Sequence, residues 1–271
     1  MSEYLRSHPD VFISEPKEPH FFSDDINTKY RVSSESEYLS LFSSATGKAV
    51  VGEGSVHYLQ SKVALRRIVE FNPSALFVAM VRNPVDLAYS WHSEARYTEG
   101  ESVANFVDAW RLQFDRVGGR GVPRRCGDVQ LLNYADVASV GEQLSRAVNT
   151  VGRDRLKIIL FDDFVKDPRA SYQAVLDFIG VTDDGRQAFP VINDSKIVKS
   201  AMLMEFGHMV ARAKMKLGIT MGTGILEYVN IARKKRDELP RGFRKELVQH
   251  FLPQIEQVEA LLGRTLPTWR S

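Results

Sequence analysis

One apolar run constrains the fold of this chain more than any other feature. Residues 75–81 (ALFVAMV) are continuously apolar and lie between two prolines, which is typical of a parallel strand buried on both faces. Arg82 follows directly, and Asn83 with Pro84 is typical of a helix start. Ligands bind at this edge of open α/β sheets, so Arg82 is expected either to bind an anion or to pair with a neighbouring carboxylate.

Other segments alternate between strand and helix patterns along the chain. Residues 10–14, 49–51 and 156–161 are predicted to be strands. Residues 61–71 have the period of an amphipathic helix, and the Asp-Pro pair that begins residues 167–179 predicts a helix that ends at a glycine. This alternation predicts an α/β fold, a three-layer sandwich with a mostly parallel central sheet.

The totals favour an ordinary globular enzyme or binding domain. We expect one domain over residues 1–271, with a core over about 1–200 and a helical part over about 200–271. With 36 basic and 34 acidic residues, the net charge of +2 gives no indication of a nucleic-acid partner. The single cysteine, Cys126, fits a reducing cytoplasm. No apolar run approaches the roughly 20 residues of a transmembrane helix. The sequence does not indicate an oligomeric state.

Two short loops carry candidate catalytic groups. In KEPHFF, Glu18 or His20 could act as a general base, and burial would raise the pKa of Glu18 toward a useful value. The same loop could instead be a turn whose Phe21 and Phe22 pack in the core. In GEGSVHYL, the glycines around Glu53 permit either close backbone approach to a ligand or only a tight turn.

The sequence lacks the common cofactor motifs. The six histidines are dispersed, and neither HExxH nor CxxC spacing occurs, so no metal site is expected. The chain also contains no GxxxxGK[ST], GxGxxG or GxSxG segment. Ser90 lies eight residues after Arg82, about two turns into the predicted helix, where its hydroxyl could support the same anion.

Several segments occur in the order and spacing of a known family. The chain resembles the sulfotransferases that use 3′-phosphoadenosine 5′-phosphosulfate (PAPS), in the heparan-sulfate-sulfotransferase-like, bacterial-type branch. The resemblance covers roughly residues 2–200 and rests on these stretches: SEYLRSHPDVFIS with KEPHFF, GEGSVHYL, VRNPVDLAYS, IILFDDFVKDP and VINDSK.

The resemblance implies roles for particular residues. It implies that Arg82 and Ser90 hold the 3′-phosphate of PAPS, that Glu18 removes the proton from the acceptor, and that Lys196 approaches the cofactor. It implies a sulfotransferase fold related to the P-loop NTPases, with PAPS as co-substrate and no metal. The implied acceptor is a hydroxyl or amine, for example on a saccharide or glycolipid.

The chain departs from the family at its beginning. The family places a strand and a lysine-containing glycine-rich loop, which cradle the 5′-phosphosulfate, before the helix that ends in SEYLRSHPD. Gly54 also stands where many animal members have lysine. We therefore expect an N-terminally truncated domain. The simplest explanation is that the start codon has been assigned too far downstream and the true protein is longer. The alternatives are an expressed gene fragment or a pseudoenzyme, a catalytically inactive nucleotide-binding or interaction module of the same fold.

Overall fold

The structure is a computed structural model, and part of the chain is described in it. The predicted helix over 200–215 lies outside the described residues, as do residues 191–195 of the VINDSK segment. For Lys196–Val198 and Ile231–Arg233 only the backbone is described. The described residues are 1–28, 31–98, 100–190, 196–198, 231–233 and 238–271.

Strands and helices alternate as the sequence predicted. The strands are β1 (Val11–Ile13), β2 (Val50–Gly52), β3 (Phe77–Val81), β4 (Leu156–Leu160), β5 (Lys196–Val198) and β6 (Ile231–Arg233). The α-helices are α1 (Ser2–Arg6), α2 (Glu35–Ser40), α3 (Ala64–Phe71), α4 (Pro84–Thr98), α5 (Phe106–Arg116), α6 (Tyr134–Val137), α7 (Val140–Val151), α8 (Phe161–Lys166), α9 (Pro168–Ile179) and α10 (Arg241–Leu262).

The first four strands form two parallel pairs. β1 pairs with β2 and β3 pairs with β4, each in a separate two-stranded sheet, while β5 and β6 form an antiparallel pair. In the β3–β4 pair, Val81 lies opposite Leu160, so the two strands end side by side. The predicted α/β class and the parallel pairing are confirmed.

Helices pack on both faces of the β3–β4 pair, as a three-layer arrangement requires. On one face, Leu156 and Leu160 join a core cluster with residues of α7 and α10. On the other face, Ile159 packs with Tyr172 of α9 and with Tyr4 of α1. The β4 strand is therefore buried between two layers of helices.

The β3 strand is only half covered, which corrects the prediction that it is buried on both faces. Ala79 and Val81 are buried in the core cluster, but Val78 and Met80 are each 36% exposed. In the described part of the chain, the helices on that face contact β4 at Ile159 and leave β3 open.

Local sequence signals set most helix ends. The Asn83 side chain accepts a hydrogen bond from the Val85 N–H (2.9 Å), which caps α4 as predicted. The Asp167 side chain caps α9 in the same way, and Gly180 ends that helix in the left-handed conformation (φ 74°). The helix predicted over 136–150 is instead divided into α6 and α7, and α8 was not predicted.

Candidate functional site

Arg82 leaves β3 at the edge where β4 also ends. Because Val81 lies opposite Leu160, the next residues, Arg82 and Phe161, are neighbours across the two strands. The guanidinium carbon of Arg82 lies 5.1 Å from the centroid of the Phe161 ring, a cation–π distance. Phe161 was not identified from the sequence, which predicted it as the last residue of the strand over 156–161, whereas the structure has it as the first residue of α8.

The acidic side chains next to Phe161 have other partners. Asp162 accepts a hydrogen bond from the Trp269 indole N–H (2.7 Å), and Asp163 pairs with Arg264. Within the described residues, no carboxylate forms an ion pair with Arg82. Of the two expectations for Arg82, the pair with a neighbouring carboxylate is therefore not formed in the part of the chain that the structure describes, and the anion site stays a prediction.

Ser90 lies on α4, beside the buried face of that helix. Val85, Ala88 and His92 are buried, whereas Ser90 is half-buried, and its hydroxyl makes no hydrogen bond to another described residue. Strand β5, which begins at Lys196, lies against α4. The backbone of Lys196 is therefore close to the helix of Ser90, and its side chain lies outside the described structure.

Both oxygens of the Glu18 carboxylate face basic groups. Oε1 lies 2.6 Å from the Lys17 ammonium nitrogen, and Oε2 lies 3.5 Å from Nε2 of His20. Burial alone raises the pKa of Glu18, but hydrogen bonds from His20 and Lys17 and their charges outweigh it and lower the pKa to about 2. The expectation of a raised pKa for Glu18 is therefore wrong, because the basic partners outweigh burial.

His20 is held in an unusual backbone conformation. Its φ is 52°, in the left-handed region that non-glycine residues seldom adopt. The backbone N–H of His20 donates to Ser55 Oγ (2.9 Å), and its carbonyl accepts from Ser23 Oγ (3.1 Å). The His20 side chain is 9% exposed, and its buried Nδ1 has no hydrogen-bond partner among the described residues.

Glu53 fixes the second candidate loop from inside the protein. Its carboxylate accepts hydrogen bonds from Ser55 Oγ (2.5 Å), from the Ser55 N–H (3.1 Å) and from the Tyr58 hydroxyl (2.6 Å). Burial raises the pKa of Glu53, although these hydrogen bonds oppose the rise. Since Ser55 Oγ also accepts from the His20 N–H, Glu53 holds the His20 backbone indirectly.

The two loops meet at Gly54. The Gly54 N–H donates to the Lys17 carbonyl (2.9 Å). A β-carbon at position 54 would lie 3.4 Å from Cγ of Lys17, at the short end of ordinary contact. The two segments are therefore in contact here, and a β-carbon at position 54 would still fit at ordinary van der Waals distance.

His57 joins the Glu18 loop to α4, and the sequence analysis missed it. The His57 ring lies 5.0 Å from the His20 ring and 5.5 Å from the Trp91 ring, measured between centroids. Burial, followed by the charge of His20, lowers the pKa of His57 to about 4, so the ring is neutral at pH 7. Because Trp91 follows Ser90 directly, this chain of rings brings the helix of Ser90 beside the loop of Glu18.

The aromatic residues of KEPHFF have the structural role that the sequence also allowed. Phe21 and Phe22 are buried in a cluster with Tyr38 of α2 and Ala64 of α3. The loop is therefore anchored by its two phenylalanines, while Glu18 stays at the edge of the buried region.

The described residues contain neither a metal-binding cluster nor a membrane-spanning helix. None of their histidine, cysteine and acidic side chains gather in groups that could hold a metal ion. Among the helices that the structure describes, none is long and apolar enough to span a membrane.

Comparison with solved structures identifies the fold. The chain is similar to a sulfotransferase from Alicyclobacillus acidocaldarius, with 26% sequence identity and a TM-score of 0.72 over 100% of this chain and 92% of that chain. It also matches the sulfotransferase domain from the curacin biosynthetic pathway, with 15% identity over 61% of this chain and 50% of that chain, and a TM-score of 0.36. That TM-score is too low to show a shared fold. No family model and no curated protein matches the sequence.

The first of these similarities covers the whole chain, so the chain has an α/β sulfotransferase fold. The neighbour that covers the whole chain is a sulfotransferase, which supports a sulfotransferase-type function for this chain.

Proposed function

We propose that this protein transfers a sulfuryl group from PAPS to a hydroxyl or amine of an acceptor such as a saccharide or glycolipid. The observation that carries the proposal is Arg82, a cation at the exit of a parallel strand with no carboxylate partner among the described residues. The whole-chain similarity to a sulfotransferase supports the reaction class.

The residues around Arg82 fit the 3′-phosphate of such a donor. A guanidinium can donate two parallel hydrogen bonds to phosphate oxygens, and a serine hydroxyl can add a third. The half-buried positions of Arg82 and Ser90 leave both groups accessible to a ligand. We propose that Lys196, whose strand lies against α4, contributes a further positive charge.

Glu18 is the proposed catalytic group. The acceptor oxygen must lose its proton as it attacks sulfur, and a carboxylate within hydrogen-bond reach can take it. His20 and Ser55 fix the loop that carries Glu18, and the contact from His57 to Trp91 supports a common site with Ser90. PAPS, when bound, supplies the activated sulfuryl group.

Calorimetric binding of 3′-phosphoadenosine 5′-phosphate (PAP) tests the donor site. Arg82→Ala should weaken PAP binding at least about tenfold, because hydrogen bonds to charged groups contribute around 1.5–3 kcal/mol. Arg66→Ala is the matched control, since Arg66 is exposed on α3 and pairs with Glu70. Equal affinity in wild type and Arg82→Ala would contradict the proposal.

Turnover tests the catalytic assignment. With labelled PAPS and a panel of saccharide and small hydroxyl acceptors, Glu18→Gln should abolish transfer and leave PAP affinity nearly unchanged. Transfer that persists in Glu18→Gln would exclude Glu18 as the catalytic group. PAP binding by the wild type without transfer to any acceptor would favour the alternative, an inactive nucleotide-binding module of the same fold.

A further inference from the structure

We propose that Lys17 is a further catalytic cation of this site, which pairs with Glu18 in the free protein and moves to the anionic 5′ end of the donor when the donor binds. The inference rests on the proposed function, since it assigns a role to a residue beside the proposed catalytic group.

The contact between Lys17 and Glu18 is close and partly open to solvent. The two charged atoms lie 2.6 Å apart, and the side chains are 27% and 30% exposed. The other oxygen of Glu18 faces His20, so both oxygens have a basic partner in the free protein. Of these two partners, the partly exposed lysine is less constrained than the buried imidazole, so it is the one that a second anion can draw away.

Lys17 can change partner without a backbone movement. Its carbonyl is fixed by the Gly54 N–H (2.9 Å), and the first carbons of its side chain lie along the glycine, where a Cβ would approach Cγ at 3.4 Å and Cδ at 3.6 Å. Beyond these carbons, the ammonium group contacts Glu18, and its position depends on rotation about the flexible bonds of the lysine side chain. A second anion nearby can therefore attract it while the backbone stays in place.

The chemistry brings such an anion close to Lys17. In the transfer, the acceptor oxygen forms a bond to sulfur while the bond from sulfur to the phosphate oxygen breaks, and the electron pair stays on that oxygen. Glu18 takes the proton of the acceptor, and Lys17 keeps its own. Since the attacking oxygen lies about 3 Å from sulfur in a reactive geometry, a cation beside Glu18 is within a side-chain rotation of the sulfuryl oxygens.

The same movement makes Glu18 a better base. Paired with Lys17 and His20, Glu18 has its pKa lowered to about 2, despite the opposing effect of burial. When the positive charge of Lys17 leaves, burial has less opposition and the pKa rises. The other titratable groups that face this pair are His20 on the same loop, His57 beside it and the Met1 amino group.

The test uses the whole chain with PAP as the probe. In calorimetry, Lys17→Met should weaken PAP binding about tenfold, whereas Lys17→Arg should keep most of the affinity. Lys48→Met is the matched control, because Lys48 donates to the Pro9 carbonyl and its loss removes the same charge. Lys48→Met should bind PAP as the wild type does.

Carboxyl NMR gives a second readout that needs no acceptor. Lys17→Met should raise the midpoint of the Glu18 titration by about one pH unit or more, and PAP should raise it in the wild type. An unchanged midpoint in Lys17→Met, or PAP affinity equal to that of Lys48→Met, overturns the Lys17 proposal while the proposed function stands. Failure of both the wild type and Lys48→Met to bind PAP defeats the proposed function, and the Lys17 proposal with it.

Discussion

The guanidinium of Arg82 lies over the ring of Phe161, 5.1 Å from its centroid, at the point where β3 and β4 end side by side. The contact fixes the direction of the guanidinium without neutralising its charge. A carboxylate in the place of the ring would hold Arg82 equally well but would compete with a bound anion.

Phe161→Leu should therefore weaken PAP binding by a factor of about 2 to 5, because a cation–π contact contributes about 0.5–1 kcal/mol at a partly exposed position. Phe161→Tyr should bind as the wild type does. Calorimetry measures both, with Phe114→Leu as the control, since Phe114 is an exposed phenylalanine on α5. Unchanged affinity in Phe161→Leu would show that the ring does not position Arg82.

The low pKa of His57 predicts a loss of stability in mild acid. Burial lowers this pKa from 6.5 to about 4, so between these pH values the unfolded chain binds a proton that the folded protein does not. The free energy of unfolding should fall by up to about 3 kcal/mol as the pH drops through this window. Urea unfolding at several pH values measures the slope.

His57→Gln supplies the comparison for that experiment. The slope should become smaller but not vanish, because burial also lowers the pKa values of His92 and His250. Glu18, whose pKa is lowered from 4.5 to about 2, contributes mainly below about pH 4.5, at the acid end of this window and beyond it. Identical slopes in wild type and variant would mean that His57 is not the group responsible.

Gly141→Ala should destabilise the protein by about 1–3 kcal/mol, because α7 and α10 touch at this glycine. A β-carbon there would overlap the Gln254 carbonyl oxygen and lie 2.9 Å from the Gln254 Cα, both backbone atoms of α10. Gly242→Ala is the matched control, since nothing lies within 4 Å of that position in α10. The control should be neutral or stabilising by about 0.5–1 kcal/mol, and urea unfolding of both variants decides the matter.

The ion pair between Arg116 and Glu101 is buried, and breaking it should be costly. The two side chains are 1% and 0% exposed, and Glu101 also accepts a hydrogen bond from the Tyr134 hydroxyl (2.5 Å). Glu101→Gln leaves Arg116 buried without its counter-charge and should lower the free energy of unfolding by about 3–5 kcal/mol.

An exposed pair provides the contrast. Glu246→Gln breaks the surface pair with Arg111 and should change the free energy of unfolding by less than about 1 kcal/mol. Equal effects of the two glutamine substitutions in urea unfolding would contradict the importance of burial.

Several expectations from the resemblance stay predictions. They are the heparan-sulfate-like branch, the use of PAPS, the acceptor class, the roles of the site residues and the N-terminal truncation. In the described residues, β1–β2 and β3–β4 are separate pairs, and the face of β3 that carries Val78 and Met80 is partly exposed.

Much of the architecture was predictable because it depends on neighbours in the chain. The apolar run before Arg82, the cap at Asn83 and the stop at Gly180 each set a strand or helix end through local hydrogen bonding and backbone geometry. The α/β class followed from the alternation of such segments. The place of Arg82 was predictable for the same reason, since it follows directly from the end of a strand.

Only the tertiary structure decided the chemistry of the side chains. The pKa of Glu18 depends on the balance between burial and the charges of Lys17 and His20, and the sequence does not give that balance. The roles of His57 and Phe161 depend on rings from distant segments that meet in space. Local signals act over a few residues of backbone, whereas electrostatic interactions depend on distance and solvent exposure, which only the folded arrangement fixes.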